Sequence, residues 1–358
     1  MGEFLETKEM DSAKPVKLVY SIDPKEIKYL PQKDFSIEDL KESIDGGNWD
    51  QGLERIENSE INRAVRDVFF CGKSWNETDY FSGRLDESRV IVPSTHKFYK
   101  ARRCEYLNYL FRAMRAFGYV QDPFSDLVGI CIGRNGEVIL NNGRHRIAVA
   151  QALSIPSVPV TIDVRHSEWM RFCEEVHDYA LHHYGLVYEP IDHVDLKHLP
   201  ARQSRERLDK IIGVMSPKNE SLVDLGANWG WMDKKLSEYV DYCVAVESDP
   251  VEFSFLRGFR RVYEGKYEIV QADAVDYIKK NKEWDCVLML SLLHHIPIKQ
   301  RDELFGAMRA REMFFQFPSK SELQVDVPQW INLILSSSCF NRVKQLTNTD
   351  RELFHFMR

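Results

Sequence analysis

The sequence predicts an α/β chain of two domains, and three observations carry that reading. In the second half, four apolar runs alternate with helical segments, and each ends in polar or glycine residues. The first of them, 221–225, runs straight into a loop punctuated by Gly226 and Gly230 and then into the helical stretch 231–239. At 358 residues and 44% hydrophobic content the chain is long enough for two cores.

From the amino terminus onward, residues 1–17 are charged and are expected to be flexible. No twenty-residue apolar run or secretory pattern is visible, so neither a membrane span nor export is expected and a cytoplasmic protein is. The seven cysteines are scattered without a Cys-x-x-Cys pair and read as reduced core thiols. A net charge of −7 argues against a broad phosphate-backbone footprint, so nucleic acid is disfavoured as a partner. Locally, Lys97, Lys100, Arg102, Arg103, Arg112 and Arg115 interleave with Leu107, Leu110, Phe111 and Met114, the pattern of an amphipathic helix ended by Gly118 with its charges solvated. Trp49 and Trp75 each follow glycine in a polar stretch, where an indole either stacks on a ligand ring or pins its turn.

Residues 127–133 and 138–140 flank Asn135-Gly136 and predict a hairpin. Asn141-Asn142-Gly143-Arg144-His145-Arg146 then opens a helix over 147–153, and 158–164 is a closing strand. Backbone amides at a helix start, a flexible glycine and two arginines flanking a histidine make an anion site. This arrangement resembles the nucleotide-binding core of the ParB/sulfiredoxin-like family, an α+β domain expected over 18–170. The resemblance implies nucleotide or phosphate binding by Asn142, Gly143, Arg144, His145 and Arg146, with ATP, ADP or another nucleotide, and Mg with it, as ligand. Where sulfiredoxins carry a cysteine before the His-Arg pair this chain has Arg144, so sulfinic acid reduction is not expected, and no helix-turn-helix follows. His177, His182 and His183 lie on the next helical segment without acidic or cysteine partners at matching spacing, and no bound metal is expected. A helical linker is expected over 171–204, with the domain boundary in its proline-bearing part.

In the second domain, expected over 205–358, the run 242–246 ends in Glu247, about twenty residues past the first glycines, where an acid accepts both hydroxyls of a ribose. The run 267–271 leads to Asp273-Ala274, and 284–290 leads to Ser291-Leu292-Leu293-His294-His295-Ile296. A fifth strand over 312–317, a helix over 327–336 and a final antiparallel pair, 342–346 with 353–357, complete the pattern. From about residue 200 to 358 the chain resembles a class I S-adenosylmethionine-dependent methyltransferase, which implies a Rossmann-like seven-stranded sheet. The resemblance places Asp224, Gly226, Asn228 and Gly230 at the methionine part of S-adenosyl-L-methionine, Glu247 at its ribose, and Asp273 with Ala274 at its adenine. It also nominates Ser291, His294 and His295 as catalytic, a near-neutral histidine being suited to take a hydroxyl proton. Trp229 stands where a dinucleotide loop carries a further glycine, which disfavours a dehydrogenase. The loop after the fourth strand lacks the Asp/Asn-Pro-Pro-Tyr/Phe pattern of base-amino methyltransferases.

The expectation is therefore an O-directed methyltransferase acting on a small-molecule, glycan or phosphate acceptor, with a first domain that holds a phosphorylated group and, in a bolder version, works as a kinase-like module. The alternative is a nucleic-acid-binding regulator or an RNA-modifying methyltransferase that uses the ParB-like domain for binding.

Overall fold

Among the described residues, two mixed sheets of seven strands each organise the chain. The computed structural model describes residues 18–31, 43–82, 93–121, 126–203, 205–281, 283–319 and 326–358. The expected flexible segment 1–17 and the side chain of Lys97 lie outside the described residues. Chain contacts divide the protein into units Met1–Met170 and Arg171–Arg358.

The first unit contains strands β1 (Val19–Ile22), β2 (Tyr29–Leu30), β3 (Ile44–Asp45), β4 (Glu54–Arg55), β5 (Val128–Ile132), β6 (Val138–Leu140) and β7 (Val158–His166). Its helices are α1 (Glu60–Phe70), α2 (Asp79–Ser82), α3 (Pro93–Phe117) and α4 (Arg144–Ala152). The sheet runs β1-β7-β5-β6-β2-β4, with β3 added to β7. The hairpin is present: Ile130 pairs with Leu140 and Ile132 with Val138, and Gly136 takes the left-handed conformation (φ +82°) that the turn demands. Strand β7 pairs in parallel with β5, the strand before the hairpin turn, and antiparallel with β1. Helix α3 buries Cys104, Leu107, Leu110, Phe111 and Met114, leaves Arg102, Arg112 and Arg115 exposed, and ends at Gly118 (φ +78°). Trp75 donates from Nε1 to Asn108 Oδ1 (3.1 Å) and meets Phe69 edge-on, and Trp49 lies against His166, so both indoles are used within the unit.

Helix α4 starts at Arg144, not at Ile147 as the sequence suggested. Gly143 occupies the left-handed region (φ +87°) as N-cap, so the chain enters the helix at once and Arg144, His145 and Arg146 form its first turn.

Helix α5 (Ser167–His182) spans the division. The second unit continues with α6 (Glu206–Ile212), β8 (Ser221–Leu225), α7 (Trp231–Leu236), β9 (Tyr242–Glu247), α8 (Pro250–Tyr263), β10 (Glu268–Gln271) and α9 (Ala274–Lys280). It ends with β11 (Glu283–Leu290), α10 (Ile298–Ala307), β12 (Arg309–Gln316), α11 (Val327–Ser337), β13 (Arg342–Gln345) and β14 (Leu353–Met357). Strand order is β10-β9-β8-β11-β12-β14-β13. The strands are parallel from β10 to β12, and β14 runs antiparallel to both of its neighbours. Near-continuous apolar runs such as Val223, Leu225, Val244, Val287, Met289, Met313 and Phe315 are fully buried, as a parallel sheet requires. Burial of each large side chain there contributes about 2 kcal/mol.

The segment 171–204 is a correction to the expected helical linker. Only its first part, to His182, is helical; the rest buries Val187, Ile191, Val194 and Leu196, together with Glu189 and His193. Phe172 fills the space beside Gly258, where a Cβ would come within 2.5 Å of the ring. A stretch with that much buried surface folds as part of the second unit.

Away from the glycine loop, Glu312 on β12 carries a buried cluster. It contacts His355 Nε2 (2.6 Å) and accepts from Ser216 N–H (2.9 Å) and Asn219 Nδ2 (2.5 Å). Burial pushes its pKa upward, but these partners outweigh that and hold it below the usual carboxylate range.

Candidate functional site

The direction of strand order reverses at β8: β9 and β10 lie on one side of it, β11 and β12 on the other. Such a switch point leaves a crevice at the carboxyl ends of the strands, between the loops that follow β8 and β11. The loop after β8 has three left-handed residues, Gly226 (φ +79°), Asn228 (φ +50°) and Gly230 (φ +78°). A Cβ on Gly226 would lie 2.9 Å from Leu292 Cδ1, and one on Gly230 would lie 2.7 Å from Leu256 Cδ1 and 2.9 Å from Tyr267 Oη. The glycines are thus required by close packing of the protein on itself as well as by the turn.

Two carboxylates fix the loop. Glu247, at the end of β9, accepts the Asn228 N–H at Oε2 (3.0 Å) and the Ser248 and Asp249 N–H groups at Oε1 (2.8 and 2.9 Å). Three of its four lone-pair positions are therefore in use within the loop. Glu252 on α8 accepts from Asn228 Nδ2 (3.2 Å), Trp229 Nε1 (2.7 Å) and Tyr179 Oη (2.7 Å). The Trp229 ring, fully buried, stacks on Phe259 and leans on Phe255 and Tyr179. Trp229 is thereby an anchor that ties the loop to α8 and α5.

Among the described residues, the buried oxygens of this frame without a partner are Oδ1 of Asp224, Oδ1 of Asn228, Oδ2 of Asp233 and Oη of Tyr267. Leaving such acceptors unmade costs about 1–3 kcal/mol each, a cost that a ligand donor removes. Asp224, at the end of β8, has its pKa raised to about 7 by burial, with Glu189 and Glu247 adding repulsion and Arg207 opposing it. Asp233 on α7 is pushed well above the carboxylate range by burial and by Asp224, and its Oδ1 accepts weakly from the Cys243 thiol (3.7 Å). Arg207 faces this acidic group from α6, paired to Glu189 at 2.9 Å with both side chains 5% exposed. An ammonium is the donor type that Asp224 and Asn228 suit, and the α-amino group of S-adenosylmethionine is such a donor.

Asp273 N-caps α9, its Oδ1 accepting from the Val275 and Asp276 N–H groups (2.8 and 3.1 Å), with Ala274 buried behind it. After β11, Ser291 is left-handed (φ +58°); its hydroxyl donates to Gln316 Oε1 (3.1 Å) and accepts from Arg351 Nη1 (3.0 Å). His294 is half-buried and His295 exposed, their rings 3.9 Å apart. Neither caps α10, whose N-cap is Pro297 without a side-chain hydrogen bond. Asp224, Gly226, Asn228, Gly230 and Glu247 thus share one loop system. Ser291 and His294 stand on the loop that meets it through Leu292 and Gly226.

Around Gly143 the first unit is different. Asn142 Oδ1 accepts the Gly129 N–H (3.0 Å), and a Cβ on Gly143 would lie 2.9 Å from Val128 Cγ2. Arg144 is exposed, whereas Arg146 is buried and donates to Gln121 Oε1 (3.1 Å). Two residues apart on a helix, the exposed Arg144 and the buried Arg146 point to different sides. His145 Nε2 lies 3.0 Å from Tyr80 Oη. Burial, aided by Arg103, Arg144 and Lys100, lowers its pKa to about 4, so it adds no positive charge at neutral pH.

His177, His182 and His183 each place Nδ1 2.6–2.7 Å from the carbonyl four residues earlier. Among the described residues no three His, Cys, Asp or Glu side chains gather as a metal site. All seven cysteines are free thiols. No described helix is long and apolar enough to cross a membrane.

Sequence reasoning missed Glu189, Arg207, Glu252, Gln316 and Arg351. Glu189 sits in a proline-bearing stretch that reads as linker, Gln316 ends a strand that carried no motif, and nothing in the sequence near Arg207 or Arg351 marks them.

No protein-family model and no curated protein matches the chain. Solved structures similar to it include the methyltransferase domain of bacterial CtHen1 (12% identity, TM-score 0.38, covering 43% of this chain and 98% of that one). Monomeric WbdD is also similar (16% identity, TM-score 0.42, 50% of this chain and 48% of that one), as is the N-terminal domain of EvdMO1 with S-adenosylhomocysteine bound (11% identity, TM-score 0.40, 52% and 96%). This chain spans about half the length of WbdD.

Proposed function

We propose that the second unit binds S-adenosylmethionine and directs methyl transfer to an oxygen acceptor. The observation that carries this reading is the pair of buried, partnerless oxygens, Asp224 Oδ1 and Asn228 Oδ1, at the carboxyl end of the switch-point strand. The sheet order, with a reversed β14 inserted beside the edge strand, supports it. Asp224 and Asn228 would receive the α-ammonium, Glu247 one ribose hydroxyl, and Asp273 with Ala274 the adenine edge. When bound, the sulfonium group supplies an activated methyl carbon, which the acceptor oxygen attacks as the carbon–sulfur bond breaks and its electrons pass to sulfur.

The chain's part is alignment and exclusion of water. Leu292 packs beside Gly226, so the two loops meet there. The Ser291 hydroxyl is engaged by Gln316 and Arg351, so it holds its loop, and His294 is the residue of the three suited to take a hydroxyl proton. A phosphate acceptor would need no base, because its oxygen is already anionic. Small-molecule, glycan and phosphorylated acceptors all fit this chemistry.

For the first unit, we infer a phosphate contact made by Arg144 at the start of α4. The kinase-like version of this reading adds an ATP, ADP or other nucleotide with Mg. The nucleic-acid reading is favoured only by the exposed Arg102, Arg112 and Arg115 of α3. Calorimetric titration with S-adenosylmethionine and S-adenosylhomocysteine, repeated on Gly226→Arg, tests the main proposal: micromolar binding lost in the variant is the expected result, and no binding to the wild-type chain refutes it. Titration with ATP, ADP and CTP, repeated on Arg144→Ala, tests the first unit.

A further inference from the structure

The outward face of α3 carries an apolar stripe that the first unit leaves uncovered. Tyr109 is 60% exposed and Phe117 84%, with Ala113 and Ala116 between them in sequence. Their spacing puts them away from Leu107, Leu110, Phe111 and Met114, which α3 buries in the unit. One exposed ring needs no explanation. Two rings on an open groove of about 500 Å³, lined by Glu105, Asn108, Tyr109, Arg112, Ala113 and Phe117, mark a contact surface.

The charges in the groove say what fits it. Glu105 and Arg112 are both exposed and seven residues apart, which is two helical turns, so they lie on the same side of the stripe with Tyr109 between them. About 10 Å of helix separates them, too much for one to reach the other within the same chain. Among the described residues, no hydrogen bond or ion pair engages either side chain. A second α3 laid antiparallel on the first, about a twofold axis at Tyr109, reverses their order. Glu105 of each protomer then faces Arg112 of the other, and Tyr109 meets its own copy. A parallel copy would instead set Glu105 against Glu105 and Arg112 against Arg112. Ala113 and Ala116 are small enough to let two helix axes approach to about 8–10 Å. A phosphate backbone fits this groove less well, because it would meet Glu105 and two apolar rings as well as the arginine.

We propose that the outward face of α3 is a homodimer interface, in which two α3 helices pack antiparallel about a twofold axis at Tyr109 and are held by reciprocal Glu105–Arg112 ion pairs. A single helix pair lies at the small end of interfaces, below about 1,200 Å² in total, so the dimer forms at micromolar concentration and exchanges readily. The pairing is independent of the ligand that the second unit binds.

The test is sedimentation equilibrium of the full chain between about 1 µM and about 200 µM. The apparent mass of wild type is expected to climb from 41.9 kDa toward twice that value. Glu105→Arg and Arg112→Glu each set like charges together at both reciprocal positions, and each is expected to weaken self-association at least about tenfold. An equimolar mixture of the two variants is expected to restore it, since opposite charges then face each other at both positions. Wild-type chain that keeps the monomer mass throughout overturns the proposal, whether or not it binds a short DNA duplex. Self-association that survives either reversal, or that the mixture does not restore, overturns it as well. Should a reversal variant fail to fold, Tyr109→Lys sets two ammonium groups across the axis, and unchanged self-association in that variant overturns the pairing.

Discussion

The turns before α4 and α7 are built alike and surrounded differently. Each places a left-handed glycine as N-cap, Gly143 at φ +87° and Gly230 at φ +78°, without a side-chain cap, and in each a Cβ would press into a neighbour. Before α7 the Asp224 carboxyl and the Asn228 amide each keep a buried acceptor oxygen unmade. Before α4 Asn142 and Arg146 have protein partners, and His145 is uncharged. A glycine turn gives a shape; what is left unsatisfied around the shape selects the ligand.

The sharpest way to break this comparison is to strain both turns. Gly230→Ala and Gly143→Ala should each cost about 2–4 kcal/mol in urea unfolding, since both force a side chain to positive φ against a close neighbour. Only Gly230→Ala should weaken S-adenosylhomocysteine binding, by more than about a hundredfold. Equal losses from the two variants would erase the distinction.

Asp224→Asn comes next. Binding of S-adenosylhomocysteine at pH 8 should fall about thirtyfold, as expected for removing the charge from a charge-assisted hydrogen bond. Stability should move the other way. The Asp224 pKa is raised in the folded chain from 3.8 to about 7, so its contribution is full below about pH 4 and is lost as pH rises to about 7. The Asn variant should lack that decline, and urea midpoints at pH 5 and pH 8 would show it.

Glu312 supplies the opposite slope. Its pKa is held down in the folded chain, so its contribution is present above about pH 4.5 and is lost as pH falls through the folded value. Glu312→Gln should cost about 2–3 kcal/mol at pH 7 and flatten the acid limb, without altering cofactor affinity. Tyr179→Phe, which removes one hydrogen bond to Glu252, should cost about 1 kcal/mol and loosen binding no more than threefold. Smallest of all, Arg144→Ala should leave stability within about 0.5 kcal/mol of wild type. Its effect on titration with inorganic sulfate should be the same at pH 5.5 and pH 8, because neither sulfate nor His145 changes charge in that window.

Much of the second sheet was legible because buried parallel strands are written as short apolar runs, and 221–225, 242–246 and 353–357 matched their strands to within a residue. The glycine loop was legible because left-handed backbone leaves few alternatives to glycine. Asn228, also left-handed, shows that the rule is a preference. The partnership of β7 with β5 was hidden, since nothing in 158–164 says which strand lies beside it. Glu189 and Arg207 were hidden for a stronger reason: a buried ion pair has the same letters as an exposed one. The exposed Arg144 and the buried Arg146 make that point within three residues.

Trp229 has a consequence for motion. An indole packed among Phe255, Phe259 and Tyr179, and hydrogen-bonded to Glu252, cannot swing out without emptying part of the core, so the β8 side of the crevice behaves as a fixed jamb. The opposite wall is Leu292, which lies beside Gly226 on a loop held by the hydrogen bonds of Ser291 to Gln316 and Arg351. That second jamb, pinned by hydrogen bonds and not by an aromatic plug, is the one that carries His294.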